Sequence, residues 1–229
     1  MKKLFVHPLE NRLRAGWRVT FHMVLTVGLV FGISATGIFE RLPLSLAWME
    51  FSFMIIAVSV TAISRRYFDQ RKFTDLGLNL RQGAWWLDLA VGIGLGSLAA
   101  GGLVLIFYLL GWVRIEAFFS TSQPGVPILA GVAVDLFTFA SVGVMEELIR
   151  AYQFINLSEG LTGPLEKRWR FAWLGGALGA SLFSMLMHLN QQGPSFWIYT
   201  FLNSLIYCAM MLLTGRIALS LGLHMAWDF

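Results

Sequence analysis

The chain has little charge and almost no cysteine. Lys, Arg, Asp and Glu make up 13% of its 229 residues, against 57% for the apolar and aromatic types. A soluble domain holds roughly 45–50% apolar residues, so this shortage of charge excludes an ordinary water-soluble protein. The mean hydropathy of +0.67 agrees, and the composition is that of an integral membrane protein. Cys208 is the single cysteine, which excludes an internal disulfide and a thiolate metal cluster; any metal must be held by His and carboxylates. Several signatures are also missing: there is no G-x-S-x-G elbow, no H-E-x-x-H, no Walker loop and no Gly-rich dinucleotide fingerprint opening a helix. No internal repeat, low-complexity tract or linker divides the chain, so residues 1–229 read as a single integral membrane domain. The formal net charge of +4 does not point to nucleic acid. The basic residues gather in short clusters between apolar segments, as in cytoplasmic loops.

What is present is a series of apolar runs. A span needs about 20 apolar residues to cross a hydrocarbon core of roughly 30 Å. Seven segments follow: 19–39, 44–63, 87–110, 126–157, 171–189, 196–214 and 217–229. Backbone groups in lipid must be satisfied within a segment, so the expected fold is all-α, a polytopic transmembrane helix bundle of about seven segments. The seventh is too short to cross; either the chain is cut near its end or the final helix stops within the protein. Residues 1–18 carry Lys2, Lys3, Arg12, Arg14 and Arg18, "RRYFDQRK" follows the second segment, "EKRWR" the fourth, and Arg216 the sixth. The alternation places a basic N-terminal segment, and the N-terminus, in the cytoplasm. The first long apolar run begins only near Val19, which argues against a cleaved signal peptide. Gly92, Gly96 and Ala100 form a small-residue stripe for close helix packing. Trp17, Trp85, Trp86, Trp112, Trp169, Trp173 and Trp197 fall near segment ends, where an interfacial belt is expected.

Ionisable residues inside spans are rare, face the bundle interior and are functional candidates. Here they are Glu50, Asp135, Glu146, Glu147, Arg150, His188, His224 and Asp228; His22 lies near an interface and is expected to be wet. Glu146 and Arg150 are four apart on one helix face, an internal ion pair. That pair leaves Glu147 about 100° away, in need of a partner from another helix. Asp135 lies eleven residues before Glu146 on nearly the same face, about 16 Å along the axis, a candidate second polar group in the same cavity. His224 stands one turn before Asp228 on a common face. A Glu with two His and an Asp on three helices suits two hydrolytic arrangements: Zn²⁺ with an open position for water, or a water deprotonated without metal.

These residues resemble the CPBP intramembrane proteases, which include the type II CAAX prenyl endopeptidases and the bacteriocin-processing or immunity proteins of bacteria. That family carries Glu-Glu-x-x-x-Arg, Phe-x-x-x-His and His-x-x-x-Asn/Asp helices; the counterparts here are "EELIRAYQF", "SLFSMLMH" and "GLHMAWDF". The motifs lie within residues 126–229, and "NRLRAGWR" and the stretch from "RRYFDQRK" onward are also similar. The resemblance implies an intramembrane endopeptidase of the bacterial plasma membrane acting on a peptide or membrane-protein substrate within the lipid bilayer. It assigns Glu146 as general base, Glu147 and Arg150 as its support, and His188 and His224 as holders of water. Asp228 would orient His224 or help stabilise the oxyanion. It allows Zn²⁺ or another divalent metal on Glu146, His188 and His224, and does not name the substrate or require a prenyl group.

Two spacings depart from the family. Only two residues separate Glu147 from Arg150, so either Glu146 keeps its place and Arg150 turns by about 100°, or Arg150 keeps its place and Met145 occupies the catalytic position. Phe183 precedes His188 by five residues, leaving Ser184 in the expected Phe position. The shortened first motif supports an alternative reading, a catalytically impaired member serving as membrane scaffold or bacteriocin-immunity protein. A proton-coupled transporter is the third reading, against which stands the absence of paired inverted halves.

Overall fold

The computed structural model describes residues 2–7, 10–117, 126–162, 169–190 and 193–229. Within them all regular structure is helical apart from one isolated bridge, Val6 to Leu13. The helices are α1 (Lys2–Phe5), α2 (Ala15–Ser34), α3 (Ser45–Ile63), α4 (Gly83–Leu109), α5 (Ile128–Thr162), α6 (Trp169–Met187), α7 (Pro194–Thr214) and α8 (Ala218–Asp228). Six of them, α2 to α7, are long and apolar enough to cross a membrane. Leu98, Leu129 and Leu213, among the most exposed large side chains, point away from the bundle, as a lipid-facing surface requires.

The seventh expected segment becomes α8, whose 11 residues span about 16 Å. It is held inside the protein by α4. Gly92 and Gly96 of α4 and Gly222 of α8 bring the two backbones together, and a Cβ on Gly96 would stand 2.5 Å from the Leu223 carbonyl oxygen. The packing role expected of the small-residue stripe is thus filled by Gly92 and Gly96. Gly215, with φ of 68°, ends α7 in the left-handed region and allows the chain to reverse into α8. Arg216 in that turn pairs with Asp88 of α4 at 2.6 Å. Trp85 donates its indole N–H to the Gly77 carbonyl at 3.1 Å and is buried, so it leaves the interfacial belt and joins the packing under α8.

A buried ionic cluster fastens α2, α3 and α5. Ser64–Phe68 winds as a π-helical turn at the end of α3, and the Asp69 N–H closes it on the Ser64 carbonyl. The Asp69 carboxylate then accepts from Arg65 at 2.7 Å, from the Tyr152 hydroxyl at 2.9 Å and from Asn156 at 3.3 Å, with Arg18 at 3.6 Å. Glu159 pairs with Arg18 at 3.1 Å, with Arg12 at 3.3 Å and with Arg71. The arginines expected in solvent-facing loops therefore include three, Arg12, Arg18 and Arg65, that are buried. Burial is sustained because each has a carboxylate within reach; an unpaired buried guanidinium is far costlier. The same pairing explains why α5 runs on past Leu157: Glu159, two residues further on, belongs to this cluster. His22 is a second correction. It is fully buried rather than wet, its Nε2 lies 2.9 Å from the Thr61 hydroxyl, and its ring stacks on Tyr152 at 4.1 Å.

Candidate active site

Six elements converge on one cavity of about 880 Å³: α2, α3, α5, the end of α6, α7 and α8. Its polar lining includes Glu50, Glu146, Arg150, His188, His224 and Asp228. Three helices that are separate in sequence thus deliver the expected residues to a common space. Asp135 is not among them: it is exposed on α5 and lines no part of the cavity, because it stands about 16 Å along the helix axis from Glu146.

Glu146 stands at the centre. Its Oε1 lies 3.6 Å from His188 Nε2 and its Oε2 3.8 Å from His224 Nε2. Both separations are too long for direct hydrogen bonds and suit a water shared between the carboxylate and the rings. His188 follows the last turn of α6, and its Nδ1 lies 2.7 Å from the Ser184 carbonyl, so Nδ1 carries a proton and Nε2 is the atom that faces Glu146. The displaced motif spacing is therefore put to use: Ser184 fixes the histidine by its backbone, and Phe183 lines the cavity beside it.

Glu147 points away from the cavity centre, as its 100° offset requires, and finds the partners that the sequence demanded on α8. The Ser220 hydroxyl donates to its Oε2 at 2.6 Å and His224 Nδ1 lies 3.1 Å from its Oε1. Arg150 bonds Glu147 through Nη1, approaches Glu146 through Nη2 at 3.5 Å and donates from Nε to the Ser204 hydroxyl at 3.0 Å. With only two residues between Glu147 and Arg150, the guanidinium still reaches both carboxylates, and it is Glu146, not Met145, whose carboxylate faces both imidazoles. Tyr207 of α7 sits between the charged groups, with Arg150 over its ring at 4.8 Å and His224 stacked on it at 5.1 Å. Ser204, Tyr207 and Ser220 escape a sequence reading that searches for ionisable residues. Ser220 is four residues before His224 and Ser204 three before Tyr207, so helix-face spacing alone held the signal.

His224 lies 3.2 Å from Asp228 through Nε2 as well as 3.1 Å from Glu147 through Nδ1. Carboxylates only accept, so the ring donates on both sides and offers no lone pair to a metal. Among the described residues no group of three or more His, Cys, Asp or Glu side chains is arranged to hold a metal ion. The donor set on Glu146, His188 and His224 does not fit Zn²⁺ in this arrangement.

A family model for Rce1-like proteins, described as type II CAAX prenyl endopeptidase Rce1-like, matches residues 4–229. No curated protein and no solved structure matches the chain.

Proposed function

Because the chain belongs to the type II CAAX prenyl endopeptidase Rce1-like family, we propose that it is an intramembrane endopeptidase that hydrolyses a peptide bond with a water activated by Glu146. One observation carries the reading: a carboxylate on α5 faces the Nε2 atoms of two imidazoles from other helices inside one cavity. In the step proposed, the water gives one hydrogen bond to Glu146 and one to the lone pair of His188 Nε2. Glu146 takes its proton as the water oxygen bonds the substrate carbonyl carbon. The developing oxyanion is stabilised by the positive charge of the His224 ring, which Glu147 and Asp228 keep protonated and oriented. Collapse restores the carbonyl, breaks the C–N bond and returns the proton from Glu146 to the leaving nitrogen. Arg150 acts through Glu146 and Glu147 as a positioning residue, anchored by Ser204 and Tyr207.

The bilayer is the medium in which the substrate is met, and the cytoplasmic side is the proposed location of the N-terminus. Purified protein in detergent or liposomes is expected to cleave a membrane-associated peptide, and Glu146→Ala to abolish cleavage. Cleavage at the wild-type rate by that variant refutes the assignment. A non-catalytic scaffold or immunity role would rest on the shortened first motif, but Glu146 keeps its place facing the rings despite it.

A further inference from the structure

Building on that endopeptidase reading, we propose that Glu50 and Thr26 form a subsite for a cationic side chain, Lys or Arg, of the substrate. Glu50 lies on α3, lines the same cavity as the histidines, and has no part in the step above. It is half-buried, lines the cavity, and is near enough to Glu146 for the two carboxylates to repel. The other carboxylates packed inside the bundle have partners: Asp69 has Arg65, Glu147 has Arg150, Glu159 has Arg18, and Glu146 has Arg150. Glu50 has no hydrogen bond and no ion pair among the described residues. An unpaired carboxylate is costly inside a membrane-spanning helix, and such residues mark substrate paths and partners.

Thr26 gives an independent indication. It is 3% exposed, and its hydroxyl oxygen is buried without a hydrogen-bond partner among the described residues. The hydroxyls of Thr138, Ser141 and Thr200 turn back to the carbonyl four residues earlier, which is how an isolated hydroxyl is satisfied in a span. Thr26 does not, although it lines the same cavity as Glu50. Val27, Val30 and Phe53 supply an apolar wall beside these two groups, suited to the methylene stem of a lysine whose ammonium reaches Glu50. The cavity also carries more acid than base. Glu50, Glu146 and Asp228 line it against the Arg150 guanidinium and the protonated His224 ring, both of which Glu146 and Glu147 already engage. Such a field favours a cation and rejects an anion.

The test uses the full chain in phosphatidylcholine liposomes, a neutral surface that does not itself attract basic peptides. A fluorescein-labelled apolar peptide carries one Lys, moved along the sequence, and a matched set carries norleucine instead. Binding is measured to Glu146→Gln protein and cleavage to wild type. At one position Lys is expected to bind about tenfold or more tightly than norleucine, the loss that follows removal of a charge-assisted hydrogen bond. Glu50→Gln in the same background removes the preference, Glu50→Lys transfers it to a Glu-bearing peptide, and Thr26→Val weakens it. Equal binding of every Lys and norleucine pair, or a preference kept in Glu50→Gln, overturns the subsite. If Glu50→Gln protein does not fold, the wild-type pairs and Thr26→Val decide. The endopeptidase reading fails separately, through absent cleavage or through cleavage by Glu146→Gln, and the binding preference is read without it.

Discussion

Gly96→Ala is the most direct test of whether α4 places the catalytic groups. Gly96 carries no chemistry and lines no part of the cavity. A Cβ there would lie 2.5 Å from the Leu223 carbonyl oxygen and 2.9 Å from the Ala226 Cβ, where ordinary contact begins at 3.4 Å. The shortfall against Leu223 is about 0.9 Å (3.4 less 2.5), and its partner is helix backbone, so no side-chain rotation relieves it. α8 must therefore move away from α4 by a large part of that distance. The residue after Leu223 is His224, so the shift is delivered to a ring that is held at 3.1 Å from Glu147. Misplacement of a catalytic group by about 1 Å costs on the order of 10²-fold in rate, while the overpacking itself costs roughly 1–3 kcal/mol of stability. The assay is peptide cleavage by the reconstituted variant, with Gly94→Ala as control, because nothing lies within 4 Å of a Cβ at Gly94 on the same helix. A monodisperse Gly96→Ala protein with full activity refutes the coupling, as does an equal loss in both variants.

Four further outcomes are expected. Arg150→Lys removes the Nε bond to Ser204 and the planar fork on both carboxylates, and should lower kcat by about 10²-fold with little change in KM; unaltered kcat would show that the guanidinium positions nothing. Asp69→Asn takes the buried countercharge at 2.7 Å from Arg65 and leaves Arg18 with Glu159 alone, and should destabilise the fold by roughly 3–5 kcal/mol in thermal or denaturant unfolding in detergent. A shift within error there would mean that Glu159 alone holds the arginines. Asp135→Asn, outside the cavity, should leave cleavage at the wild-type rate, and a large loss would place a proton path along α5. Dialysis against a chelator should not change the cleavage rate, since His224 has no lone pair to give; a rate that falls and returns with Zn²⁺ contradicts that donor assignment.

The membrane character, the helical form and the identity of the cavity's ionisable residues were legible in the sequence for one reason. Lipid makes charge expensive, so each ionisable group within an apolar run stands out against its background. Glu147 shows how far local geometry carried the reading: its position next to Glu146 required a partner from another helix, and Ser220 and His224 supply it. The same logic misled at Asp135, where eleven residues of helix bring the side chain near the Glu146 face in projection and the neighbouring helices leave it outside. It failed differently at Arg12, Arg18 and Arg65. A count of Lys and Arg in loops treats them as solvent-facing, while Asp69 and Glu159, distant in sequence, draw them inward.

By itself, then, the sequence determined that this chain is a helical membrane protein and which ionisable side chains lie within its apolar helices, because helix period and hydropathy are local properties. Only the tertiary structure decided that α8 packs backbone to backbone on α4, that Arg150 reaches both carboxylates despite the shortened spacing, and that Glu50 and Thr26 are left without partners among the described residues. Those outcomes depend on backbone approach between α4 and α8 and on contacts across more than 70 residues of chain, such as Ser220 with Glu147. No local pattern encodes them, since each follows from where a distant helix comes to rest.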